Sequence, residues 1–406
     1  METLVLQGGR VIDPASETDT TTDVTIRDGI VSAVGPADPA LVDHPDTEVI
    51  DCAGLLVVPG LIDLHCHVMT GLGDFCVEPD EVGVDMGVPV LVDGGTSGVA
   101  TFDISRRAII DHPATRSRVL AFLDPNQLYL ATKDFICHKL EIANDLRNLD
   151  FESLEESVDR NSDVVVGAKA RACHVGDPEF SPFLDAAQRA MGDLPVMVHL
   201  GRFPFTPVIT PKALLNQLRG GDIITHAFRG AGGMCGPDGK AVPEFRDAVD
   251  RGVVLDVGHS GTDFRFKEAR RLVDQGYLPD TASTDLNVFN ISGPVYSLAE
   301  TLTKMLALDI DLRHVIAMAT TNTARAIGRS HELGALAAGR AAEVSVLRLR
   351  TDGPFPVSDG VEVVQSPTAL QPVGCVRAGT WIPTSPLSTF AGTGKTWGEI
   401  PDDIDW

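Results

Sequence analysis

His65 and His67 stand two apart at the end of a short apolar run, Leu61-Ile62-Asp63-Leu64. Side chains alternate between the faces of a strand, so both imidazoles point one way and Cys66 points the other. Two neutral imidazole nitrogens at that spacing can grip one divalent cation. Alone, the pair also fits two structural histidines. Similar residues follow other apolar runs. Lys169 and Arg171 come after Val164-Val165-Val166-Gly167, His199 after Val196-Met197-Val198, and His226 after Ile223-Ile224-Thr225. His259 follows Val253-Val254-Leu255-Asp256, and Asp285 follows Thr281-Ala282-Ser283-Thr284. If these runs are strands of one parallel sheet, their polar followers gather at its carboxyl ends. Chance does not readily place so many ligand-type residues there, and the set predicts a metal site.

Eight such runs are spread over residues 59–333, the remaining two being Pro89-Val90-Leu91-Val92 and Val119-Leu120-Ala121-Phe122. Most are followed by a stretch with helical periodicity. Apolar strands alternating with helices indicate a parallel sheet covered on its faces. Their number and spacing predict a (β/α)8 TIM barrel over 59–333, whose active face is the carboxyl end of the strands. An open doubly wound sheet would want a Gly-rich turn after its first strand, and none is present. Residues 1–58 read as short strands separated by Gly9, Asp28-Gly29 and Gly35-Pro36, and a second β-rich stretch occupies 334–384. Neither buries much surface alone, so the two ends are expected to form one small β-sandwich. The tail, 385–406, is polar, Gly-rich and finally acidic, and reads as an extension on the surface or on a neighbouring subunit. Its Gly392-Thr393-Gly394-Lys395-Thr396 lacks the glycine a phosphate-binding loop needs at position 389, which is threonine, so nucleotide binding is rejected.

The 406 residues carry 33 Lys and Arg against 57 Asp and Glu, a formal charge of −24. That surface repels phosphate backbones and anionic membranes, so neither nucleic acid nor membrane is expected as a partner. The first ten residues lack a signal-peptide pattern. No apolar run reaches the roughly 18 residues of a membrane span. The 7 cysteines are dispersed without a CxxC pair, which reads as reduced thiols in a cytoplasmic protein. A small-molecule substrate is expected, and the chain does not give its oligomeric state, a homo-oligomer included.

These motifs resemble the amidohydrolase superfamily of metal-dependent hydrolases. The resemblance rests on Gly60-Leu61-Ile62-Asp63-Leu64-His65-Cys66-His67, Lys169, His199, His226 and Asp285, and spans nearly the whole chain. Val165 to Arg171, Gly221 to His226, Asp256 to His259, Ser283 to Leu286 and Gly293 to Tyr296 are most similar to its amidohydrolase/deacetylase, dihydroorotase-like branch. That branch usually has histidine at the place of Asn287 and asparagine near Arg229, so the substrate pocket is expected to differ.

The resemblance implies two divalent ions, with zinc as the first choice. His65, His67 and Asp285 would hold one, and His199 and His226 the other. Lys169, carboxylated on its amine, would bridge them; an ammonium has no lone pair to give, whereas a carbamate has two oxygens. Hydroxide formed on the metals would attack the acyl carbon, with Asp285 carrying the proton to the leaving group. The bland alternatives are an unmodified Lys169 and a purely structural Asp285. Arg171 fits a substrate carboxylate bidentately, or a structural ion pair with a barrel carboxylate. His259, Arg229 and Tyr296 are further candidates for substrate binding. His112, His138, His174, His314 and His331 fit no ligand pattern. The implied activity is hydrolysis of an acyl amide or acyl ester of a small carboxylate-bearing compound. Cyclic amide hydrolysis is the second reading, and a non-catalytic assembly scaffold a third.

Overall fold

The structure is a computed structural model and describes residues 3–201, 205–230 and 233–384. Its N-terminal part contributes five strands, β1 (Thr3–Asp13), β2 (Thr18–Arg27), β3 (Ile30–Val34), β4 (Thr47–Asp51) and β5 (Leu56–Pro59). Asp28 and Gly29 turn β2 into β3 with φ of 50° and 76°, the positive pair that a tight hairpin turn of matching twist demands. Seven parallel strands follow: β6 (Ile62–Cys66), β7 (Val90–Gly98), β8 (Arg118–Asp124), β9 (Val165–Ala170), β10 (Val196–His199), β11 (Ile223–Thr225) and β12 (Val254–Leu255). Five more strands end the described chain: β13 (Val344–Arg350), β14 (Phe355–Ser358), β15 (Val363–Ser366), β16 (Ala369–Arg377) and β17 (Thr380–Pro383).

The two ends do meet, in one sheet of order β17-β16-β13-β5-β1-β2-β3 with β4 on β1. Where two packed sheets were expected, these strands form one hydrogen-bonded sheet. The reason is β5, which pairs parallel with β1 on one edge and antiparallel with β13 on the other. One apolar cluster, including Leu6, Val24, Val57, Val344 and Val376, draws on both ends. The remaining pair, β14 and β15, is a separate hairpin against the helix Leu298–Leu306.

The strands β6 to β12 lie side by side in chain order, a TIM-like arrangement. Their residues are buried almost without interruption, as a sheet covered by helices requires. The covering helices start at built caps. Asp150, Ser181, Thr210 and Ser297 each accept a backbone N–H of the first turn, and proline opens the helices beginning at Pro182, Pro211 and Pro243.

The expected eighth strand is not a regular one. Residues 281–286 instead bridge both edges of the sheet, Thr281 to Asp256 and Leu286 to Cys66, each in parallel sense. His259 and Val257 donate their N–H groups to Ser283 and Thr281 on one side, while Asp285 donates to the His65 carbonyl at 2.6 Å on the other. Side chains finish the docking: Asp63, pushed up to about 7 by burial, accepts the Thr284 hydroxyl at 2.6 Å and its N–H at 3.1 Å. Ladder bonds are replaced here by side-chain bonds, so the segment that the run at 281–284 marked is not a regular strand. Among the described residues no helix is long and apolar enough to cross a membrane. The tail at 385–406 lies outside the described residues.

Candidate metal centre

Each candidate ligand sits where its strand ends. His65 is on β6 with His67 just past it, Lys169 is on β9, His199 closes β10, His226 follows β11, and Asp285 lies in the eighth segment. The six converge. Asp285 Oδ1 is 3.1 Å from His67 Nε2 and 3.4 Å from His65 Nε2, and its Oδ2 is 3.9 Å from His226 Nε2. Lys169 Nζ lies 2.8 Å from His65 Nε2. The His199 and His226 rings are 4.4 Å apart, and those of His65 and His226 5.4 Å. His226 and Asp285 both have positive φ, 68° and 53°, a turn of the backbone that aims their side chains inward.

Room for this crowding comes from two glycines of β7. A Cβ on Gly94 would meet His65 Cδ2 at 2.1 Å, and one on Gly95 would meet Lys169 Cβ at 2.3 Å. No larger residue fits at either place without moving the imidazole or the lysine stem.

The hydrogen bonds around the rings assign their tautomers. Thr96 has one hydroxyl proton and gives it to Asp93 Oδ2 at 2.8 Å, so its oxygen accepts from His67 Nδ1 at 2.8 Å. Thr225 gives its proton to Asp256 Oδ2 at 2.8 Å and accepts from His65 Nδ1 at 3.0 Å. His226 Nδ1 donates to the Gly258 carbonyl at 2.6 Å. In all three rings the proton is on Nδ1, and the lone pair on Nε2 faces the centre. Outer partners that hold a histidine this way are the usual support of a metal ligand.

The donor set fits divalent cations. His65, His67 and Asp285 offer ligand atoms within 4.8 Å of one another. His226 Nε2 and Asp285 Oδ1 are buried without a hydrogen-bond partner among the described residues. Burial holds His65 and His199 well below the ordinary histidine range and lowers His226, which keeps the rings in their neutral, ligating form. Burial also lowers Lys169 to about 7, so much of its amine is unprotonated near neutral pH.

The candidates for substrate binding fare differently. Arg171 reaches the wall of the cleft, where it pairs with the buried Asp124 and stacks 4.0 Å over Tyr129. His259 is fully buried, accepts the Gly261 N–H on Nδ1 at 3.1 Å, and faces Lys304 Nζ from Nε2 at 2.9 Å. Arg229 clamps the Leu200 carbonyl at 2.9 Å and Asp263 at 3.1 Å, in space that Gly201 leaves open. Neither His259, Arg229 nor Tyr296 lines the cleft over the centre among the described residues. His259 and Arg229 are each held by their own neighbours.

That cleft is also lined by Phe75, Tyr129, Leu130, Phe135 and His138. His138 was not expected there. It lies in the long connection after β8, whose sequence shows no period, and burial pushes its imidazole down to about 3. The threonine and aspartate supports were also missed. For Asp93-Gly94-Gly95-Thr96 a signal existed, since the motif follows the apolar run of β7 as the candidate ligands follow theirs.

Comparison with known proteins agrees with this geometry. The model of the Amidohydrolase family matches residues 246–382. A protein named "Deacetylase" from Brucella anthropi is 32% identical over 336 residues, covering 82% of this chain and 80% of its own. "Deacetylase Atu3266" from Agrobacterium fabrum is 31% identical over 387 residues, covering 93% and 92%. Among solved structures, a dihydroorotase superposes with a TM-score of 0.80 at 29% identity over 95% of this chain and 98% of its own. An adenine deaminase reaches 0.81 at 22% identity over 94% and 99%, a likeness of fold.

Proposed function

The chain belongs to the amidohydrolase family, and we propose that it is a two-metal hydrolase that removes an acyl group from an amide or ester of a small carboxylate-bearing compound. One observation carries this reading: three imidazoles whose outer nitrogens are tied down present their Nε2 lone pairs to a buried carboxylate and lysine at one face. The similarity to two deacetylases over most of both chains supports acyl removal. In this reading His65, His67 and Asp285 hold one cation, His199 and His226 the other, and zinc is the first choice for both.

Divalent cations held there would lower the pKa of a coordinated water and polarise the scissile carbonyl. The protein's own part is positional. Lys169, its amine lowered to about 7 by burial and 2.8 Å from His65 Nε2, would add carbon dioxide, lose one proton to solvent and supply an anionic carbamate as a ligand for the cations. Asp285 Oδ1 takes the proton of the attacking water and delivers it to the leaving nitrogen or oxygen. Arg171, on the cleft wall, would meet a substrate carboxylate, and Phe75, Tyr129 and Phe135 screen the reaction from bulk water. We further read residues 281–286 as the eighth strand of a (β/α)8 barrel over 59–333. Segments 1–58 and 334–384 then form a composite β domain, and 385–406 an appended tail. The seven free cysteines support a reducing, cytoplasmic setting.

The likeness to a dihydroorotase over 95% of this chain favours cyclic amide hydrolysis as the second reading. A screen of the zinc-loaded protein against N-acyl amino acids, acyl esters of hydroxy acids and cyclic amides separates the two. Turnover confined to cyclic amides would replace the first reading by the second. A purified protein that neither retains nor binds divalent metal would sink both and leave a scaffold.

A further inference from the structure

Asp285 owes its direction to its backbone, and that backbone is held by two asparagines that no ligand pattern selects. We propose that Asn287 and Asn290 are a positioning pair for Asp285, fixing the left-handed turn from which its carboxylate faces the histidines. The proposal rests on reading Asp285 as ligand and proton carrier.

A φ of 53° is disfavoured for a residue with a side chain and persists where surrounding contacts over-determine it. Here the contacts are explicit. The Asp285 N–H is spent on the His65 carbonyl at 2.6 Å. The Asp285 carbonyl accepts two side-chain amides, Asn287 Nδ2 at 2.8 Å and Asn290 Nδ2 at 2.7 Å. Both acceptor positions of that oxygen are thereby filled. Asn290 gives its second amide proton to the Ser260 carbonyl at 2.9 Å. Ser260 is also left-handed, with φ of 49°, and its N–H reaches the Thr284 carbonyl at 3.0 Å. One fully buried amide therefore ties the end of the seventh strand to the end of the eighth. Asn290 Oδ1 accepts the Asn287 N–H at 2.9 Å and Asn287 Oδ1 accepts the Phe289 N–H at 3.0 Å, so the two side chains also pin the backbone of the turn that follows Asp285.

The chemistry of the pair is specific. Two carbonyl oxygens must be bridged from one side chain, which takes a planar group with two donors on one nitrogen. Aspartate would oppose both carbonyls with oxygen, and an apolar residue would take this donor from the Ser260 carbonyl and leave the Asp285 carbonyl to Asn287 alone. Among the described residues neither asparagine lines the cleft over the histidines.

The test uses the full chain stripped of metal and reloaded with Co(II), whose visible absorption reports the number and symmetry of its ligands. Asn290→Ala is expected to change that spectrum and to lower kcat by about 10- to 100-fold with KM within about twofold, the size of a sub-ångström to one-ångström misplacement. Asn287→Ala removes one of the two donors and should give a smaller change in the same direction. A purely structural role would lower the melting temperature and leave spectrum and kcat alone. A folded Asn290→Ala protein with the parental spectrum and kcat overturns the proposal. Should that variant not fold, Asn287→Ala decides by the same two readouts. Asp285→Asn run in parallel separates the levels: if it too leaves the spectrum and kcat unchanged, the reading of Asp285 itself fails. If it alters them while the asparagine variants do not, only the positioning pair is refuted.

Discussion

Thr225→Val tests the tautomer argument at one atom. Valine keeps the shape of threonine and removes only the hydroxyl, which accepts from His65 Nδ1 at 3.0 Å and donates to Asp256 Oδ2 at 2.8 Å. Asp256 is not orphaned by the change, because it keeps the hydroxyls of Thr281 at 2.8 Å and Ser283 at 2.6 Å. The loss falls on His65, whose Nδ1–H is left buried without a partner, at a cost of about 1–3 kcal/mol. A ring free to turn, or to move its proton to Nε2, is a poorer ligand. Removing such a support lowers metal affinity by about 10- to 100-fold, or roughly 1.4–2.8 kcal/mol of binding. The two routes agree in size. Zinc affinity of metal-free protein, measured by competition with a coloured chelator, is the assay, and Thr225→Ser should return most of the loss. A folded Thr225→Val protein that binds zinc within twofold of the parent would refute the relay.

Other outcomes follow from the same geometry. Gly94→Ala puts a methyl against His65 Cδ2 at 2.1 Å and should displace the ring, so that metal content measured by atomic emission falls below that of the parent. Lys169→Met should bind fewer metal equivalents than the parent, and bicarbonate should raise the metal uptake of the parent alone; equal uptake with and without bicarbonate counts against the bridging carbamate. Asp285→Asn should reduce kcat by about 10²- to 10⁴-fold while metal is largely retained, and unchanged rates would remove its role as proton carrier. His138 is pushed down to about 3 by burial, so the unfolded chain takes up a proton below its ordinary pKa of 6.5 that the folded chain refuses. Its contribution is complete above 6.5 and is lost as pH falls toward 3, by at most about 1.4 kcal/mol per pH unit. Denaturant melts of His138→Phe should therefore lose less stability between pH 6.5 and 4 than the parent, and parallel curves would disprove this.

What the sequence determined by itself was the set of candidate ligands and the face on which they meet. A strand buried on both sides must be apolar along its length, so a polar residue at its end stands out, and parallel topology brings all such ends together. His65, His67, Lys169, His199, His226 and Asp285 were legible for that reason, as was the pairing of the two chain ends, whose short strands needed partners. The tertiary structure decided what each polar group is bonded to. Thr225 supports His65 from 160 residues away, Asp124 takes up one side of Arg171 across 47, and Lys304 faces His259 across 45. No period or spacing along the chain encodes such partners, because they are selected by which strand ends become neighbours and which side chains fit between them. The eighth segment shows the same division. Its apolar pattern marked its place, but its path is set by Asp63, Asn287 and Asn290, polar side chains that satisfy the backbone where a regular ladder does not.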